Sequence, residues 1–208
     1  SAAIMKRYGI EVVPHVICGG QSRYDIEDTL IDLDFLGIHN VLALRGDAMH
    51  GDSRFRPHPE GLAHADALVK QIVDMNAGRF IDGEPNTRHN SHFCIGVAAY
   101  PEKHVESPNM LTDMGYLKQK IDAGAEYIAT QICYDAERII RFRDECGKAG
   151  IHVPILPGLK PFATKTQLTV LPQTFAVDLP QELVEKVIAC QDNADVKKVG
   201  IEWAIRQG

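Results

Sequence analysis

Three times in this 208-residue chain a helical pattern stops at a glycine and an apolar run begins almost at once, at Gly37, Gly124 and Gly150. A glycine just past a helix takes the left-handed backbone that closes the helix end, so each marks a helix passing directly into a strand. The helices are legible as apolar residues at spacings of three and four. Ile26, Leu30, Leu33 and Leu36 mark one; Leu62, Ala65, Leu68, Val69, Ile72 and Val73 a second; Met114, Leu117 and Ile121 a third; Ile139, Ile140 and Cys146 a fourth. Pro180 opens another near the tail, where Val196, Val199 and Trp203 follow. Between them lie five short runs rich in Val, Ile and aromatics, at residues 12–18, 41–44, 93–100, 127–134 and 153–159. They do not alternate cleanly with polar residues, which predicts strands buried on both faces, as in a parallel sheet covered by helices.

Strand and helix in alternation give an α/β class with a parallel sheet. Right-handed crossovers leave an open doubly wound sheet or a closed barrel. No G-x-G-x-x-G follows a strand and no G-x-x-x-x-G-K-[ST] exists, which weakens the dinucleotide-fold and phosphate-loop options. In a barrel, function gathers at the C-terminal ends of the strands. Those ends are residues 15–20, Arg45-Gly46-Asp47, Tyr100-Pro101-Glu102, Gln131 and residues 157–161. Residues 48–60 and 76–92 interrupt the rhythm with Gly, Pro and polar residues. No linker divides the chain, so it reads as one domain over 1–208 that enters a buried-looking run almost at Ser1.

A formal net charge of −6 leaves no broad basic footprint for nucleic acid. No apolar run approaches the roughly 20 residues of a membrane helix, and no signal peptide opens the chain. Cys18, Cys94, Cys133, Cys146 and Cys190 form no C-x-x-C pair, which predicts reduced thiols and a cytoplasmic location.

Chemistry concentrates at the strand ends. Arg45 supplies fixed donors to an anion or carbonyl, and Asp47 a charge near a reacting centre. Gly46 between them lets backbone approach a ligand closely. Tyr100 can lie along a flat ring system, and Lys103 and His104 can meet phosphate oxygens. Gln131, flanked by Ile128 and Ile132, offers an amide to a heterocycle edge, or is simply a satisfied structural amide. His89, Asn90, Ser91 and His92 lack the Cys or acidic partners of a metal site and read as a solvated loop, as do His50, His58 and His64. Asp25, Glu27, Asp28, Asp32 and Asp34 read as a solvated helix face.

Taken together, four segments resemble the 5,10-methylenetetrahydrofolate reductase family. They are Ala43-Leu44-Arg45-Gly46-Asp47, Gly96-Val97-Ala98-Ala99-Tyr100-Pro101-Glu102-Lys103-His104, the run 118–131 ending in Thr130-Gln131, and Pro154-Ile155-Leu156-Pro157-Gly158. The resemblance runs from about Val13 to Trp203. It implies a parallel (β/α)8 TIM barrel of which this chain carries about five of the eight strands, equivalent to the third through seventh. It also implies an FAD enzyme that passes hydride from NADH or NADPH to 5,10-methylenetetrahydrofolate by ping-pong turnover, giving 5-methyltetrahydrofolate for methionine synthesis. By motif, His15, Arg45, Gly46, Asp47, Ala65, Tyr100, His104, Asp113 and Lys120 would hold FAD. Asp47 and Gln131 would be catalytic and would bind folate with Gln167, placed on the loop after the fifth strand; Gln131 would also meet nicotinamide. The partners implied are the folate and the nicotinamide nucleotide, with no nucleic acid, membrane or metal, in a homo-oligomer.

The chain departs from the pattern at His64, where the family often has tyrosine, and at Tyr116 and Gln119, which replace commoner polar and basic residues. The family's general-acid glutamate and a folate-binding arginine segment lie on strands that this chain does not match, so the 208 residues alone are expected to be inactive. General acid catalysis is typically worth about 10²–10⁴-fold. A five-strand remnant would also leave open sheet edges. The other reading is a truncated homologue that binds flavin or folate without turnover.

Overall fold

In a computed structural model, residues 2–47, 55–83 and 90–208 are described. The elements run α1 (Ala2–Tyr8), β1 (His15–Ile17), α2 (Arg23–Phe35), β2 (Asn40–Leu44), α3 (Ala65–Asn76), β3 (Cys94–Ala99), α4 (Met110–Asp122), β4 (Tyr127–Ile132), α5 (Ala136–Lys148), β5 (Ile155–Gly158), α6 (Gln167–Phe175), α7 (Gln181–Ala189) and α8 (Asn193–Gln207). The strands form one five-stranded sheet in the order β1-β2-β3-β4-β5. The predicted α/β class and parallel pairing are both found: Val16 pairs with Ala43, and Val41 with Ile95, in parallel registers.

The helix-to-strand rhythm has a common cause. After α2, Gly37 N–H donates to Asp34 O and Ile38 N–H to Leu33 O, the two bonds of a Schellman closure. The same pair of bonds closes α3 at Gly78, α4 at Gly124 and α5 at Gly150, each glycine having a positive φ. Gly78 had read only as part of a polar stretch. At the other end of α2, Ser22 and Asp25 form a reciprocal capping box, so Asp25 is a cap rather than only a solvated charge. Glu27 likewise accepts from the Ile81 amide.

Three expectations fail. The opening segment was expected to be buried, but α1 buries no residue. The strands are not uniformly buried on both faces. The central β2 and β3 are, but His15 and Ile17 of β1 and Leu156 and Pro157 of β5 are exposed, because the edge strands have fewer neighbours to cover them. The stretch read as a loop after the fifth strand contains α6, a helix with Pro172 inside it.

The chain divides into two compact units, Ser1–Ala98 with Tyr116–Ile128, and Ala99–Gly115 with Ala129–Gly208. In the first, Ile26 and Leu30 of α2, Leu68 and Ile72 of α3, and Val41 and Ile95 of the sheet are fully buried. In the second, Tyr134, Phe162, Leu171, Val177, Leu183, Val187, Val196 and Trp203 form one apolar cluster. Its polar atoms are satisfied: Tyr134 Oη donates to Lys160 O at 2.9 Å, and Trp203 Nε1 to Tyr134 O at 2.9 Å. Among the described residues, no helix is long and apolar enough to cross a membrane.

Candidate functional site

The first unit brings the ends of β1 and β2 level, since Ile17 pairs with Leu44 and the Cys18 amide donates to Leu44 O. Cys18-Gly19-Gly20 therefore runs beside Arg45-Gly46-Asp47. The approach is close: a Cβ on Gly19 would stand 3.2 Å from Arg45 O, and one on Gly46 3.5 Å from Ile17 Cβ. Gly46 has φ +86°, a backbone that L side chains rarely adopt. The turn thus aims Arg45 and Asp47 by means of the glycine between them. Arg45 is half-buried, its Nε donates to Gly46 O at 3.3 Å, and its guanidinium lies 4.8 Å from the centre of the Phe55 ring. Phe55 went unnoticed in the sequence, although an aromatic in a polar stretch was a signal. Asp47 is exposed. The Cys18 thiol is fully buried, donates to Arg45 O at 3.4 Å, and is pushed up in pKa by that burial, so it serves as packing beneath the turn.

The other expected residues of this unit stand as follows. His15 opens β1 opposite Leu42, two residues before the strand end, rather than at the end itself. Lys120, in the last turn of α4, donates its ammonium to Ala98 O near the end of β3. Ala65 is the first residue of α3, whose N-cap His64 makes no side-chain capping bond.

In the second unit, Tyr100 leaves β3 and meets His104 edge-on, ring centres 4.7 Å apart at 83°. His104 Nδ1 accepts from the Glu106 amide at 3.1 Å, which puts the proton of the neutral ring on Nε2. Asp113 closes this loop: its carboxylate accepts from His104 N–H at 3.0 Å and Ser107 Oγ at 2.7 Å. Lys103, read as a phosphate contact, instead donates to His104 O at 3.1 Å and Ser107 O at 2.7 Å. Gln131 is half-buried near the end of β4, and its Oε1 accepts from the Ile132 amide at 2.9 Å. That bond fixes the side chain through its oxygen, so the amide NH2 is its donor end. Gln167 lies not on a loop but at the first position of α6. Its Oε1 accepts from the amides of Ala163 at 2.6 Å and Thr164 at 3.0 Å.

Glu102 is half-buried beside these residues. It accepts from Asp178 N–H at 3.2 Å and from the Cys133 thiol at 3.7 Å. Burial raises its pKa, and the Asp178 amide pulls the other way. His50 and His89, read as solvated, lie outside the described residues.

Comparison with known proteins agrees with the motifs. A sequence profile of the methylenetetrahydrofolate reductase family matches residues 1–207. Methylenetetrahydrofolate reductase 2 of Saccharomyces cerevisiae is 33% identical over 195 residues, covering 92% of this chain and 30% of the yeast protein. Methylenetetrahydrofolate reductase (NADH) 1 of Arabidopsis thaliana is 33% identical over 205 residues, covering 94% and 32%. The 5,10-methylenetetrahydrofolate reductase of Escherichia coli is 31% identical over 196 residues, covering 94% and 59%. The chain thus spans about a third of the eukaryotic relatives and 59% of the bacterial one. An uncharacterised Clostridium thermocellum protein that binds two copies of 5-methyl-5,6,7,8-tetrahydrofolic acid overlays with a TM-score of 0.40 at 14% identity, covering 94% of this chain and 83% of that one. An overlay that loose carries no argument here. The family match over 1–207 does: this chain belongs to the methylenetetrahydrofolate reductase family, whose fold is the TIM barrel.

Proposed function

We propose that this chain belongs to an enzyme that reduces 5,10-methylenetetrahydrofolate to 5-methyltetrahydrofolate with FAD and NADH or NADPH. The observation that carries the reading is the family match across 1–207 together with the left-handed turn at Gly46, which aims Arg45 and Asp47 from one strand end. When bound, FAD would relay a hydride equivalent between the nicotinamide and the folate; the protein supplies orientation and electrostatics.

The residues present suit such a group. A flavin dinucleotide carries a diphosphate and a flat, amide-edged ring. By the family resemblance, His15, Arg45, Gly46, Asp47, Ala65, Tyr100, His104, Asp113 and Lys120 would hold it: Arg45 and Lys120 bring positive charge, and the helix N-terminus at Ala65 suits an anion. Asp113 fixes the loop that presents Tyr100 and His104. Asp47 would place a negative charge at the reacting rings, and Gln131 would present its amide N–H to folate or nicotinamide. Gln167 would bear on folate through the 163–164 segment that its side chain holds. Five free thiols support a reducing, cytoplasmic setting.

The intact protein tests this. It is expected to purify with the visible absorbance of bound flavin, or to gain it on reconstitution. NADH or NADPH should then bleach the flavin, and a quinone or methylenetetrahydrofolate should restore it. A colourless intact protein that cannot be reconstituted with FAD overturns the reading.

A further inference from the structure

The loop of residues 100–107 is held by more groups than a surface loop needs. Lys103 has φ +82°, a conformation that a non-glycine residue keeps only where its surroundings over-determine it. Its own side chain closes the loop from within, and Asp113 of α4 accepts from His104 N–H and Ser107 Oγ. Two further ties come from outside. Arg138, in the first turn of α5, donates Nε–H to Pro101 O at 3.0 Å. Glu102 reaches the other way, accepting from Asp178 N–H at 3.2 Å and from the buried Cys133 thiol at 3.7 Å.

A half-buried carboxylate is a poor device for stability alone, since its desolvation offsets most of what its partners return. Such a group makes sense where one geometry must be selected. The feature that this geometry controls is His104, its ring set edge-on against Tyr100 and its tautomer fixed by the Glu106 amide.

We propose that Glu102 and Arg138 are positioning residues, holding the 100–107 loop so that His104 and Tyr100 meet the flavin in one orientation. The flavin part rests on the function proposed above; the clamp itself does not.

The experiment uses the intact protein with Glu102→Ala, Glu102→Gln and Arg138→Ala. Without added flavin, amide exchange at His104 and Ser107 is expected to rise about tenfold in both alanine variants, the size of one lost hydrogen bond. Glu102→Gln keeps an acceptor for the Asp178 amide and should exchange nearly as wild type does. With FAD, the alanine variants should bind about tenfold more weakly, while kcat at saturating FAD is retained and Glu102→Gln is rescued. Unchanged exchange in both alanine variants overturns the clamp. Faster exchange with unchanged FAD affinity overturns the link to flavin. If wild type itself binds no FAD, the proposed function falls, while the exchange arm still decides the clamp. Should one alanine variant fail to fold, the other and the glutamine variant carry the test.

Discussion

The Tyr127 ring lies against Gly96 so closely that a Cβ at position 96 would stand 2.1 Å from Tyr127 Cζ. The same tyrosine's hydroxyl donates to Val41 O at 3.2 Å. One side chain thus fills the space that a missing side chain leaves on β3 and ties itself to β2. Gly96→Ala is expected to destabilise the chain by about 1–3 kcal/mol through overpacking, read as a lower urea midpoint. Tyr127→Phe should cost about 0.5–1.5 kcal/mol for the lost bond. In a Tyr127→Ala background the cost of Gly96→Ala should shrink, because the two residues share one space.

Gly46→Ala tests the turn that aims Arg45 and Asp47. A left-handed backbone costs an L residue roughly 1–2 kcal/mol, so a modest loss of thermal stability is expected. The loss of flavin binding in the intact protein should be larger than that strain alone predicts, because Arg45 and Asp47 are redirected together. Flavin binding equal to wild type would show that the turn's geometry does not matter to the cofactor.

The thiols should differ sharply in reactivity, since the thiolate is the reacting form. Burial holds Cys133 at about 12 and Cys146 at about 11, and it also raises Cys18. Cys190 is only partly buried. Alkylation of the native protein at mildly alkaline pH, followed by mass spectrometry, should therefore label Cys190 first. Cys18, Cys133 and Cys146 should react only with denaturant.

Acid should weaken the α7–α8 contact in a defined window. Hydrogen bonds from Arg206 and then Lys186 hold the Glu182 carboxyl at about 2, against its ordinary 4.5. A carboxyl lowered on folding contributes stability above 4.5, and that contribution drains away as pH falls toward 2. The urea midpoint of wild type should exceed that of Glu182→Gln near neutrality. The two should converge as pH falls through that window, and equal midpoints at neutral pH would show that the contact contributes nothing.

Much of this was legible because it was local. The glycine stops at Gly37, Gly124 and Gly150 are decided by a few neighbouring residues, and the structure places a Schellman closure at each. The cores of β2, β3 and β4 likewise followed from apolar runs. What sequence missed depended on neighbours it cannot rank. The stretch with Gln167 reads as a loop, but Leu171 in the apolar cluster anchors α6 there despite Pro172 inside the helix. The strand-end motif drew attention to Lys103, and the family resemblance to Asp113 and Gln167. Their side chains are nonetheless engaged with nearby backbone and hydroxyl groups, a commitment set by the path of each loop. Arg138, which belongs to no motif, shows the reverse: only its contact with Pro101 O gives it a role.

Trp203 is the one tryptophan of the chain, and its ring is sealed into the second unit with the Arg206 guanidinium 3.9 Å from its centre. Its emission is therefore a private signal of that unit and is silent about the first. A melt followed by tryptophan fluorescence and the same melt followed by far-ultraviolet ellipticity are two different measurements on this protein. Any lag between the curves would time the loss of one unit ahead of the other, with no label attached.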